Sequence, residues 1–117
     1  MSMPSPPLPV ARKHVLLDLL VAAEHERLGL HRSPARVDEV ARWVRARHDL
    51  MRPAELHDFL ARSGLGPAGF HDRIRALHDL SQLQEHHRAR IDQRLPRYRA
   101  VFGVRDWLLR RAMEAGQ

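Results

Sequence analysis

Cysteine is absent from the 117 residues, which excludes disulfides, thiolate zinc sites and thiol nucleophiles and leaves the redox compartment unread. Threonine and asparagine are absent as well, and isoleucine occurs only at Ile74 and Ile91. Much of the usual strand and turn vocabulary is therefore missing, and helix is the default. Lysine occurs once, at Lys13, and aromatic residues make up only 5% of the chain. The longest apolar run, Val15 to Ala23, is interrupted by Asp18 and falls far short of the ~20 residues that a membrane span needs. Prolines at positions 4, 6, 7 and 9 occupy the stretch that a signal peptide would keep continuously apolar. The expectation is a cytoplasmic protein with no membrane partner, a disordered Pro-rich arm over residues 1–10 and a single helical domain over 11–117.

What is present is ordinary in amount and uneven in placement. Hydrophobic residues make up 44% of the chain, enough for one modest core. Eight arginines between residues 88 and 111, against only Asp92 and Asp106, account for the whole net charge of +6. Such a segment attracts nucleic acid, an acidic protein surface or an acidic peptide. The same arginine, alanine and leucine usage is also what a GC-rich genome produces, and a solvated basic face needs no ligand.

Pro and Gly punctuation divides the rest into helices. The spacing predicts a first helix from about Ala11 to Leu28, with Gly29 as a left-handed stop. Val15, Leu16, Leu19, Leu20 and Ala23 follow the helical period, and Leu17 and Val21 broaden the stripe so that the helix is expected to be touched from more than one side. Ser33 and Pro34 read as the cap and first residue of a second helix, the serine hydroxyl accepting a free N–H. Val37, Val40, Ala41 and Val44 form its inner face, to about His48. Pro53 opens a short helix with Leu56, Phe59 and Leu60 on one side, closed by Gly64. Gly66 and Pro67 restart the chain into a long helix through Phe70, Ile74, Leu77, Leu83 and Ile91, ended or kinked by Pro96. A further turn at Tyr98, Val101 and Phe102 is separated by Gly103 from a last helix around Trp107, Leu108 and Met113. The fold class is all-α, an orthogonal bundle of about five to six helices.

The order Gly29-Leu30, Ser33, Val37, then Glu55-Leu56, Phe59-Leu60, Gly64-Leu65, Phe70 and Arg75 resembles the helical chaperone module of the periplasmic SurA and extracytoplasmic PrsA-type foldases. The resemblance covers roughly residues 11 to 95 and implies a SurA-N-like fold that holds extended or aromatic-rich polypeptide between helices. No parvulin-type isomerase domain accompanies it, and Arg52 and Gly66 stand where the family has its caps. The stretch from Ile91 to Leu95 and from Tyr98 to Ala112 is also similar to helical segments of accessory proteins in ribosomal peptide modification pathways, which implies a precursor peptide or its modifying enzyme as partner.

Residues that could carry chemistry are sparse. His-Asp occurs at 48–49, 57–58, 71–72 and 78–79, and His86-His87 adds a pair. Adjacent helical residues point about 100° apart, and a seven-residue spacing is about 10.5 Å along the axis, so His71, His78 and Glu85 cannot share one ion. His78 and His86, with Gln82 between them, are the best-spaced metal candidates. No Glu-x-x-His or His-Glu-x-x-His signature occurs, so no metal or other cofactor is expected. Ser33 and Ser63 read as helix-end residues, and Ser81 lies near His78 and Glu85 only by helical spacing. Without a strained nucleophile turn or a phosphate-cradling Gly-rich loop, no enzyme is expected.

Binding is the reading that remains. Trp43 lies off the Val37/Val40/Val44 stripe, and Trp107 stands among arginines; aromatic anchors beside arginine are typical of interface hot spots. The candidate peptide- or partner-binding set is Trp43, Phe59, Phe70, Tyr98, Phe102 and Trp107, bordered by a basic patch of Arg88, Arg90, Arg94, Arg97 and Arg99. For most of these aromatics the plainer role is core packing. The partner expected is a polypeptide client or partner enzyme. The alternatives are nucleic acid on the arginine-rich segment and a structural homodimer.

Overall fold

A computed structural model describes residues 5–116 of the chain. They form five helices: α1 (Leu8–Leu28), α2 (Pro34–Arg47), α3 (Pro53–Ser63), α4 (Gly66–His86) and α5 (Arg88–Ala115). No strand occurs among the described residues, and the all-α expectation holds. Of the Pro-rich arm, residues 1–4 lie outside the described residues, residues 5–7 have no regular structure, and residues 8–10 already belong to α1. The helix starts three residues before Ala11 because Pro9 sits in its first turn, where a missing N–H costs nothing and a fixed φ favours the helix.

The punctuation acts as anticipated at most boundaries. Gly29 and Gly64 close α1 and α3 at φ +62° and +73°, left-handed conformations that a Cβ would strain. Ser33 is extended and Pro34 follows as the first helical residue, but the serine side chain makes no capping hydrogen bond. The start of α2 therefore rests on the proline, which itself pushes the preceding residue out of the helical region. Between α2 and α3, Asp49 takes φ +54°, and Arg45 ties the turn by donating from Nε to the Leu50 carbonyl and from Nη2 to the Met51 carbonyl, each at 3.0 Å.

Of the two roles anticipated for Pro96, ending a helix or kinking it, the first does not hold. The break falls at His87, with φ −99° and ψ 16°, and Pro96 and Gly103 both lie inside α5. From Gln84 to Arg90 the only apolar side chain is Ala89, so no packed face holds one helix across that stretch. Within α5 the proline removes the N–H that the Asp92 carbonyl would otherwise accept, and interior Pro and Gly disfavour helix by about 3 and 1 kcal/mol relative to alanine. No described residue of α5 is buried.

The described residues fall into two compact units that meet in sequence at Leu83 and Gln84. The first contains α1, α2, α3 and most of α4. Its apolar core is small: Val37, Leu50, Ile74 and Leu83, with Ile74 only 1% exposed. The edge-to-face pair Phe59 and Phe70, 6.2 Å between ring centroids, fastens α3 to α4. The second unit contains the end of α4 and all of α5.

Candidate binding surface

The most densely bonded part of the first unit is polar. His25 on α1 and His78 and Asp79 on α4 are all buried. Asp79 accepts from Arg32 through both carboxylate oxygens, Nε to Oδ1 at 3.0 Å and Nη2 to Oδ2 at 2.6 Å. His78 Nδ1 donates to Oδ1 at 3.0 Å. His25 Nε2 lies 3.4 Å from the same oxygen and donates to Gln82 Oε1 at 2.8 Å, while Gln82 Nε2 donates to the His31 carbonyl at 2.9 Å. Burial pushes the Asp79 carboxyl up, but hydrogen bonds from Arg32 and His78, with the charges of Arg32 and His25, hold it below the usual carboxylate range. No buried side-chain nitrogen or oxygen among the described residues lacks a partner. A charge-assisted cluster this complete fixes orientation. It locks the carboxyl-terminal end of α1 and the loop after it to α4.

Locking one side of α1 defines the other. Val21, His25 and Leu28 turn inward, and Asp18 on the same side pairs with Arg73 of α4 at 2.9 Å. At 100° per residue, Leu16 and Leu20 project from the opposite side of the helix. They are 54% and 56% exposed, beside Val15 at 57% and Leu19 at 63%. Among the described residues the apolar stripe, whose breadth predicted contacts from two directions, is covered on one side only.

The aromatic set assembled from sequence separates by element. Phe59 and Phe70 are half-buried and packed on each other. Trp43 is 60% exposed, with the Arg47 guanidinium 5.5 Å from its ring centre. Tyr98 and Phe102 are exposed neighbours on one face of α5, 6.4 Å apart. Trp107 is also exposed, under the Arg111 guanidinium at 4.8 Å, but it lies about 160° around the helix from Ile91 and Leu109.

The basic patch is not one face. Arg90, Arg94 and Arg97 run along one flank of the Tyr98/Phe102 side of α5, and Arg88 and Arg99 along the other, by the same helical geometry. A recess of about 410 Å³ is lined by Arg94, Arg97, Tyr98 and Val101. As for metal, the described residues contain no group of three side chains that could hold an ion. His78 is occupied by Asp79, and the His86 ring stacks edge-on against His87 at 4.9 Å. Ser81 is exposed, while His78 is buried with its Nδ1 on Asp79.

Reading residues in sequence missed the partners of His78-Asp79. Arg32 is 47 positions from Asp79, and His25, which lies against the same carboxylate oxygen, comes from α1 and is held by Gln82, 57 positions away. A signal was there: a His-Asp pair on the apolar side of a helix, in line with Ile74 and Leu77. Compared with protein-family models, curated proteins and solved structures, the chain finds no match in any of the three.

Proposed function

We propose that the chain is a non-catalytic helical module that binds another polypeptide through the outward apolar side of α1. The observation that carries this reading is the uncovered row Val15, Leu16, Leu19 and Leu20 on a helix whose reverse side is fixed by the His25, Arg32 and Asp79 cluster. An apolar face on an anchored helix gives a guest chain desolvation without a large ordering cost, the usual basis of helix-and-groove recognition. The likeness of the Gly and Pro punctuation to SurA-type helical modules supports the same kind of activity, capture without chemistry. Trp43, exposed beside Arg47 on α2, is a second anchor of the type that interfaces favour.

A photo-reactive amino acid at Leu16 or Leu20, in the full chain in its native host, tests this reading by trapping what lies against α1. Cross-linking to one recurrent polypeptide, weakened at least tenfold by Leu19→Glu, is the expected result. Leu19→Glu should leave the unfolding temperature unchanged because the side chain is already in solvent. Trapping of nothing, or trapping that Leu19→Glu does not affect, would remove α1 as the binding surface.

One observation favours nucleic acid as a second reading: arginines flank α5 on both sides of Tyr98, a stacking and phosphate-binding combination. Its signature is salt. Affinity for single-stranded or duplex DNA or RNA through several phosphates would fall steeply between about 50 and 200 mM salt, whereas capture by the α1 leucines would change little.

A further inference from the structure

The α5 helix carries a seam. Ile91, Leu95, Tyr98, Phe102, Leu109 and Met113 fall within about 60° of one another around the helix, and each is between 41% and 71% exposed. Leu95, Phe102 and Leu109 are spaced by sevens, and Ile91, Tyr98, Arg105 and Ala112 form the matching second row, the a and d positions of a coiled coil. Pro96 and Gly103 both fall on the b position, which faces away from the seam. Only Arg105 interrupts the apolar rows.

We propose that α5 pairs with α5 of a second copy as an antiparallel two-helix coiled coil. This does not depend on the α1 surface, which lies in the other unit. Three observations make a second copy the occupant. The first is area: six seam side chains with Val101 and Leu108 beside them, at about 100 Å² of removable surface each, reach the ~800 Å² per partner of a stable interface. The second is orientation. A parallel, in-register pair stacks Arg105 on Arg105 in the seam and sets Arg94 beside Arg99 of the other copy on both flanks, six cations with no counter-charge.

The third is register. Antiparallel pairing sets a rows against d rows, and the register that brings Arg105 over the Phe102 ring of the second copy also sets Arg99 opposite Asp106. It packs Tyr98 on Leu109, Leu95 on Ala112 and Val101 on Leu108, and it leaves Arg88 beyond the overlap. In this register Arg105 rests on an aromatic face, and two Arg99/Asp106 pairs, related by symmetry, specify direction. An acidic client would answer the arginines but not the apolar rows between them. A second copy answers both.

The chain has no native cysteine, so cross-links at introduced cysteines can be read cleanly in it. Sedimentation at tens of micromolar is expected to show a dimer, and Phe102→Glu a monomer. Arg99→Asp should weaken association about tenfold by setting two aspartates against Asp106, and adding Asp106→Arg should restore it. Mild oxidation should link two copies of the Leu95→Cys/Ala112→Cys variant and not Leu95→Cys alone. A wild-type monomer at hundreds of micromolar overturns the proposal, as does linkage of Leu95→Cys alone, which marks a parallel pair, or the lack of rescue by the charge swap. Because the α1 cross-linking is read separately, loss of either reading leaves the other standing.

Discussion

Asp79 shows what a single buried carboxylate does in this chain. Its two oxygens collect Arg32, His78 and the edge of His25, so it joins α1, the loop after it and α4 through one side chain. Asp79→Asn keeps the size but removes the charge that Arg32 answers. The expected loss is about 2 kcal/mol in urea unfolding at neutral pH, below the full cost of breaking a buried pair because Arg32 is partly in solvent. The pH dependence follows from the direction of the shift. Asp79 titrates lower in the folded chain than in the unfolded one, so its contribution is complete above the ordinary carboxylate range near pH 4 and disappears as pH falls through the lower folded value. The stability difference between wild type and Asp79→Asn should accordingly shrink in acid; a difference that stays constant down to pH 2 would mean that the ionised form is not what holds the cluster.

Among the helices, α5 is the one whose sequence argues against it. Pro96 and Gly103 sit in its interior, and no described residue of its apolar row is buried. A Cβ at Gly103 would meet no atom within 4 Å, and its backbone is not left-handed, so Gly103→Ala should raise the unfolding free energy by about 1 kcal/mol. Gly29 is the contrast. It has equal room, but φ is +62°, and Gly29→Ala should cost about 1 kcal/mol through backbone strain alone. Thermal unfolding followed by helical ellipticity measures both, and equal effects would contradict the assigned helix end. The Phe59 and Phe70 pair belongs to this scale too. Phe59→Ala should lower stability by about 2 kcal/mol, less than for a fully buried ring, and should leave cross-linking at α1 unchanged.

The whole molecule keeps very little apolar surface inside. Val37, Leu50, Ile74 and Leu83 are its buried hydrophobic residues among those described, while leucines of α1 and both apolar and aromatic side chains of α5 remain in solvent. Ile74→Ala should therefore remove about 3 kcal/mol, a large part of what a domain of this size has, and the folded fraction should be visibly reduced by calorimetry or urea titration. A chain with this distribution gains stability from whatever covers α1 and α5. Its unfolding temperature should rise with its own concentration if α5 is self-paired, and remain fixed if α5 is not.

The primary sequence determined the first three helices and most of their ends, because those depend on neighbours: proline at a first turn, glycine in a left-handed stop, a 3.6-residue apolar period. It determined the charge of the 88–111 segment in the same way. The tertiary structure decided which side of each helix is used. Nothing local distinguishes Leu16 and Leu20 from Val21 and Leu28 as apolar residues of α1, and only the bonds from His25 and Asp18 to α4 turn one set inward and leave the other exposed. The same holds for the aromatic residues, since Phe59 finds Phe70 across a turn while Trp43 stays exposed beside Arg47. Hydrogen bonding joins His25 to Gln82, 57 positions apart, and periodicity within a helix carries no record of what stands across from it.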